Sequence, residues 1–90
     1  MDKSLEQYRE RLGSSIKGIS KIDHPIIRRD LLRMVQVVEK LLVELSKESV
    51  ECRRNKRITG KYSEIARSVE QQLSVIDKWL LVGLLRSSGE

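Results

Sequence analysis

The clearest pattern in this sequence is a pair of apolar stripes with the spacing of an α-helix. The first stripe steps by four, three, four, three and four positions through Ile27, Leu31, Met34, Val38, Leu41 and Leu45. The second stripe repeats those steps through Tyr62, Ala66, Val69, Leu73, Ile76 and Leu80. Such spacing keeps apolar side chains on the side of a helix that packs lengthwise against another helix. We therefore expect two long helices.

Proline and glycine mark where these helices begin. Pro25 suits the first turn of a helix, where a backbone N–H is not needed, so helix 2 is predicted over about 25–54. Gly60 marks the next turn, and helix 3 is predicted over about 61–85. An earlier apolar periodicity predicts a shorter helix 1 over about 4–22. Because the connections are short, the two long helices should form an antiparallel hairpin.

Local signals refine these boundaries. Either Asp23 or His24 can cap helix 2, and either Thr59 or Ser63 can cap helix 3. Glycine inside a helix costs roughly 1 kcal/mol relative to alanine, so the segment 13–15 can interrupt helix 1. Helix 1 is therefore the least regular of the three predicted elements.

The fold class predicted is all-α, with residues 1–90 forming one helical-bundle domain. The chain has no Phe, one Trp and two Tyr, so its core must be aliphatic, as is usual in helix bundles. Helix 2 carries apolar residues beyond its stripe, namely Ile26, Leu32, Val35, Val37, Leu42 and Val43. One neighbouring helix cannot cover all of them. The prediction is a long antiparallel hairpin plus a shorter N-terminal helix, in a three-helix or oligomeric bundle.

The function that this pattern favours is non-enzymatic: an assembly or adaptor module that binds itself or partner helices. The C-terminal run from Trp79 to Leu85 is apolar at seven consecutive positions, so apolar side chains lie on every face of the helix there. The run can be buried in the bundle or can dock a partner. The predicted oligomer or partner interface consists of Ile27, Leu31, Met34, Val38, Leu41, Leu45, Trp79, Leu80 and Leu84.

The net charge of +5 is concentrated between helices 2 and 3. The segment 53–61, called here the basic tip, has five positive residues and no acid: Arg53, Arg54, Lys56, Arg57 and Lys61. These cations, beside the N-terminus of a helix, suit the phosphates of nucleic acid or another polyanion. A solvated turn explains the same charges. Nucleic-acid binding by the basic tip is therefore the alternative function.

A small all-helical enzyme is the second alternative. The chain is similar to the all-helical chorismate mutases in fold type and length, a resemblance that implies basic side chains pointing inward from the helices of a dimer. Arg28, Arg33, Lys40 and Lys47 lie mostly off the stripe, so no catalytic residues are assigned. The chain has one His and one Cys, and it lacks metal-binding or phosphate-loop motifs. We expect no cofactor and no metal.

The cellular compartment is predicted from two features. Cys52 is the only cysteine, so the chain is compatible with a reducing compartment. The N-terminus leads into charged sequence and lacks the apolar run of a signal peptide. The longest apolar run, 79–85, is far shorter than the roughly 20 residues that a membrane span needs. We expect an intracellular protein, cytoplasmic or nuclear, without a membrane span.

Overall fold

The computed structural model describes residues 3–88, and these form three helices. They are α1 (Lys3–Ile19), α2 (Pro25–Asn55) and α3 (Gly60–Ser88). No strand occurs within this described range, which confirms the predicted all-α class. The helix–helix contacts are those of a three-helix bundle.

The sequence signals at the start of α2 act as predicted. His24 has an extended backbone, and its side-chain Nδ1 accepts a hydrogen bond from the backbone N–H of Ile27 at 3.4 Å. Pro25 occupies the first turn of α2, where the backbone N–H that proline lacks would have no partner within the helix. His24, and not Asp23, is therefore the N-cap.

At its other end α2 stops at a lysine in the left-handed conformation. Lys56 has φ 55° and ψ 35°, and its N–H bonds to the carbonyl of Arg53. The N–H of Arg57 bonds to the carbonyl of Cys52 at 3.1 Å. This bond pair is a Schellman motif, in which the left-handed residue is usually glycine. The end of α2 is therefore not marked by a glycine in the sequence.

Helix α3 begins one residue before the predicted start and continues past the predicted end at Leu85. Thr59 is its cap: the Oγ1 accepts from the N–H of Tyr62 at 3.1 Å, and the carbonyl accepts from Ser63 at 3.2 Å. Thr59 was one of two predicted caps, and the structure selects it. The C-terminal extension carries the helix to Ser88.

Helix α1 differs from its prediction in two ways. It runs unbroken through Gly13, and the buried hydroxyl of Ser15 donates a hydrogen bond to the carbonyl of Arg11 at 3.1 Å. It then ends at Ile19, not at residue 22. The N–H of Ile22 bonds to the carbonyl of Ile19, closing a tight turn that keeps Ile22 in the core while the chain reverses toward α2.

The core lies between the three helices and is aliphatic, as predicted. Its largest fully buried side chains are Ile19, Ile22, Leu31, Leu45, Leu73, Ile76, Val38, Val69 and Cys52. Polar contacts tie α1 to α3: Tyr8 donates to Glu70 at 2.9 Å, and Arg11 pairs with Asp77 at 3.0 Å. In these contacts the residue numbers rise together along α1 and α3, so the two helices are parallel. Helix α1 is therefore antiparallel to α2.

The bundle is long and thin, with extents of 54, 18 and 15 Å. A 31-residue helix such as α2 is about 46 Å long, whereas the 17 residues of α1 span only about 25 Å. The short helix therefore covers one side of the hairpin over about half of its length.

Candidate docking groove and basic tip

Three residues of the predicted interface lie inside the single chain. Leu31, Val38 and Leu45 are at most 1% exposed, because the stripe of α2 packs against α1 and α3 of the same molecule. They are core residues in this fold, and Leu31 also borders a cavity between α2 and α3. Within one chain these three positions make intrachain contacts, and the interface with another chain stays a prediction.

Five further predicted interface residues lie at the edge of that core. They are partly buried and pack against it: Ile27, Met34, Leu41, Leu80 and Leu84. Leu80 touches α1, since a Cβ atom placed on Gly18 would lie 2.9 Å from its Cδ2. Ile27 and Met34 lie on a different side of the hairpin, beside Trp79.

Trp79 borders an apolar cavity between α2 and α3. The cavity has a volume of about 270 Å³ and is lined by Ile27, Asp30, Leu31, Met34 and Trp79. Its lining is apolar except for Asp30. The Trp79 side chain is 50% exposed, an unusual state for the chain's only tryptophan. We call this depression the Trp79 groove.

The Trp79 groove lies on the side of the hairpin that α1 leaves uncovered. On α3, Asp77 faces α1 through Arg11 and Ser15. Trp79 comes two residues later, about 200° further around the helix. The hairpin thus has one side occupied by α1 and one side open.

Two exposed valines lie near the groove, one on each helix, although neither lines the cavity and Val75 borders a separate, more polar depression on α3. Val37 lies two turns after Asp30 on the same side of α2, and Val75 lies one turn before Trp79 on α3. Val37 is 48% exposed and Val75 is 39% exposed. Sequence reasoning missed Asp30, Val37 and Val75 as site residues. The signal was their spacing from Met34 and Trp79, which places Asp30 and Val37 beside the α2 stripe and Val75 beside the α3 stripe.

A second apolar area, with a volume of about 280 Å³, lies between α1 and α2. It is a shallow depression that includes Gly13, Ile16, Glu39 and Val43. Ile16 and Val43 are exposed, but Arg9 and Glu39 share the lining. This area has more charge than the Trp79 groove and no aromatic residue, so it is the weaker candidate.

The five cations of the basic tip are all exposed at the opposite end of the hairpin: Arg53, Arg54, Lys56, Arg57 and Lys61. Arg54 lies 3.4 Å from Glu51 on the same helix. Lys61 lines a depression that also contains Glu44, Lys47 and Glu48. Acids on α2 therefore lower the net positive charge around the tip, although the segment itself contains none.

Beneath these charges the tip is held by a polar network around Cys52. The N–H of Thr59 donates to the buried Sγ of Cys52 at 3.4 Å, and the Thr59 hydroxyl donates to Glu48 at 2.8 Å. Thr59 thus joins the end of α2 to the start of α3. The network fixes the course of the turn, while the lysines and arginines remain at its surface.

The basic residues considered for an enzyme site point away from the core. Arg28, Arg33, Lys40 and Lys47 are all exposed. The buried polar residues of the described chain are Ser15 and Ser49. Among residues 3–88, no group of three or more His, Cys, Asp or Glu side chains is placed to hold a metal ion.

No helix within the described residues is both long enough and apolar enough to cross a membrane. Comparison with known proteins found no matching family model, no matching curated protein and no matching solved structure. The groove and the tip therefore supply the functional evidence.

Proposed function

We propose that this chain is a non-enzymatic helical assembly module that receives a further helix in the Trp79 groove. The observation that carries the proposal is a half-exposed tryptophan beside an apolar cavity, on the uncovered side of a helical hairpin. Grooves between two helices bind the apolar face of a third helix in many recognition complexes. Aromatic side chains at such sites contribute a large share of binding energy.

Selection of helical peptides tests this proposal. A displayed library of amphipathic helices, selected on the folded chain, should yield binders that shift the Trp79 emission to the blue. Val37→Glu should abolish their binding, because it places a charge next to the apolar groove, where the docked helix would bury it. Val43→Glu is the matched control, since Val43 is a similarly exposed valine on the α1 side of α2. Binders that respond equally to both substitutions would contradict the proposal.

Polyanion binding by the basic tip is a second candidate function. It is supported by Lys56, a charged residue at a left-handed position where glycine is the usual choice. The five exposed cations suit phosphate oxygens. Glu48 and Glu51 lie close by and weaken the local potential, so this candidate ranks second.

Neutralising the tip tests the second candidate. Changing Arg54, Lys56 and Arg57 to glutamine should weaken binding to DNA and RNA of all sequences alike and reduce the salt dependence of the affinity. The matched control is Arg28, Arg29 and Arg33 changed to glutamine, which removes the same charge at the far end of α2. If the tip variant binds as the parent does, the tip is a solvated turn.

The proposed setting is intracellular, in the cytoplasm or nucleus. The support is Cys52, the only cysteine, which is free and buried. A free thiol of this kind is stable where glutathione and thioredoxin keep cysteines reduced.

A further inference from the structure

We infer that the occupant of the Trp79 groove is the Trp79 side chain of a second copy of this chain. The inference rests on the proposed function, since it names the partner at the same site. Two copies would meet groove to groove about a two-fold axis beside Trp79. Each copy would then place its indole ring against the other's cavity, so that neither site is complete without its partner.

The chemistry of the cavity matches an indole. Ile27, Leu31 and Met34 provide an apolar lining, and Asp30 is the one charged residue in it. An indole ring is apolar except for one N–H, which needs a hydrogen-bond acceptor when it is buried. The Asp30 carboxylate provides that acceptor. Trp79 borders the same cavity, so the side chain and the cavity that would receive it lie on one patch, as a self-complementary two-fold interface requires.

The surface area of the chain also suits a subunit of a dimer. A compact monomer of 10.4 kDa exposes about 5,400 Å². This chain exposes 6405 Å², an excess of about 1,000 Å². A standard specific interface buries about 800 Å² on each partner. Pairing through one elongated side can therefore bring the exposed area close to that of a compact protein.

Groove-to-groove packing also produces a familiar architecture. The two α2–α3 hairpins pack face to face as a four-helix bundle, and each α1 remains on the outer side of its own hairpin. Val37 lies two turns after Asp30 on the same side of α2, so it enters the interface with Trp79. Val43 lies on the α1 side and stays outside it. These placements determine which substitutions should separate the copies.

Solution mass and Trp79 fluorescence test the inference together. At tens of micromolar the full chain should have twice the mass of one chain by light scattering, with blue-shifted Trp79 emission that quenchers reach poorly. Dilution should halve the mass and shift the emission to the red. Val37→Glu should give a monomer with unchanged helix content, whereas Val43→Glu should remain a dimer. Asp30→Leu should weaken dimerisation by removing the acceptor for the indole N–H.

The outcomes separate this inference from the proposed function. A monomer at all concentrations would overturn the second copy as occupant, while peptide binders sensitive to Val37→Glu would still support a helix-docking groove. A dimer that survives Val37→Glu and retains an exposed Trp79 would also overturn the inference, because its interface would lie elsewhere. A dimer lost with Val37→Glu and kept with Val43→Glu supports both.

Discussion

At the scale of single residues, Tyr8 has the clearest electrostatic role. Its hydroxyl donates to the Glu70 carboxylate across the α1–α3 contact. Burial, followed by this hydrogen bond to Glu70, raises the pKa of Tyr8 from 10.0 to about 12. The neutral phenol is therefore favoured by the folded state, and ionising it would set two negative charges side by side.

This shift predicts a loss of stability in alkali. Because the folded pKa lies above the unfolded value, the contribution of Tyr8 is complete below pH 10 and is lost as the pH rises from 10 through 12. Urea unfolding at several pH values should show that the parent loses more free energy of unfolding across this interval than Tyr8→Phe does. Equal losses would mean that folding does not raise the pKa of Tyr8 in solution.

Lys56 predicts a gain in stability. The left-handed conformation costs a residue with a Cβ atom roughly 1–2 kcal/mol, and glycine avoids most of this cost. Lys56→Gly should therefore raise the free energy of unfolding by about 1 kcal/mol, measured by thermal or urea unfolding. Arg57→Gly is the matched control. It removes the same charge at the adjacent position, but no left-handed conformation is relieved there, since Lys56 is the one non-glycine residue with positive φ in the described chain.

At the scale of elements, two glycines give opposite predictions for one substitution. A Cβ atom on Gly13 would meet no other atom within 4 Å, so Gly13→Ala should stabilise α1 by about 1 kcal/mol. A Cβ on Gly83 would lie 2.7 Å from Cδ1 of the buried Ile22. Overpacking costs about 1–3 kcal/mol, so Gly83→Ala should destabilise the protein. Thermal unfolding checks both signs, and a stabilising Gly83→Ala would show loose packing there.

The elements could be predicted where local chemistry decides them. Pro25, His24 and Thr59 act on backbone groups within a few residues, so sequence alone locates the helix starts. The left-handed Lys56 could not be foreseen, because lysine carries no preference for that conformation. The sequence also could not show which helix the α2 stripe packs against. Its spacing is the same whether the facing helix belongs to the same chain or to another.

At the scale of the whole molecule, the proposed dimerisation would be coupled to folding. If only the folded chain pairs, its melting temperature should rise as protein concentration rises. Trp79→Ala should remove this dependence and cost roughly 1–2 kcal/mol within the single chain, less than a fully enclosed tryptophan, because half of the side chain is already exposed. Calorimetry at three concentrations checks both effects. A concentration-independent melting temperature in the parent would argue against coupled assembly.

Because the chain is elongated, small-angle scattering can distinguish where two copies pair. One molecule is 54 Å long and only 18 by 15 Å across. Two molecules joined side by side along their hairpins would keep nearly the same maximum dimension while their cross-section doubled. Two molecules joined through their basic tips would almost double in length at constant cross-section. The pair-distance distribution therefore reports which end or flank of the molecule has been used, even before any residue is changed.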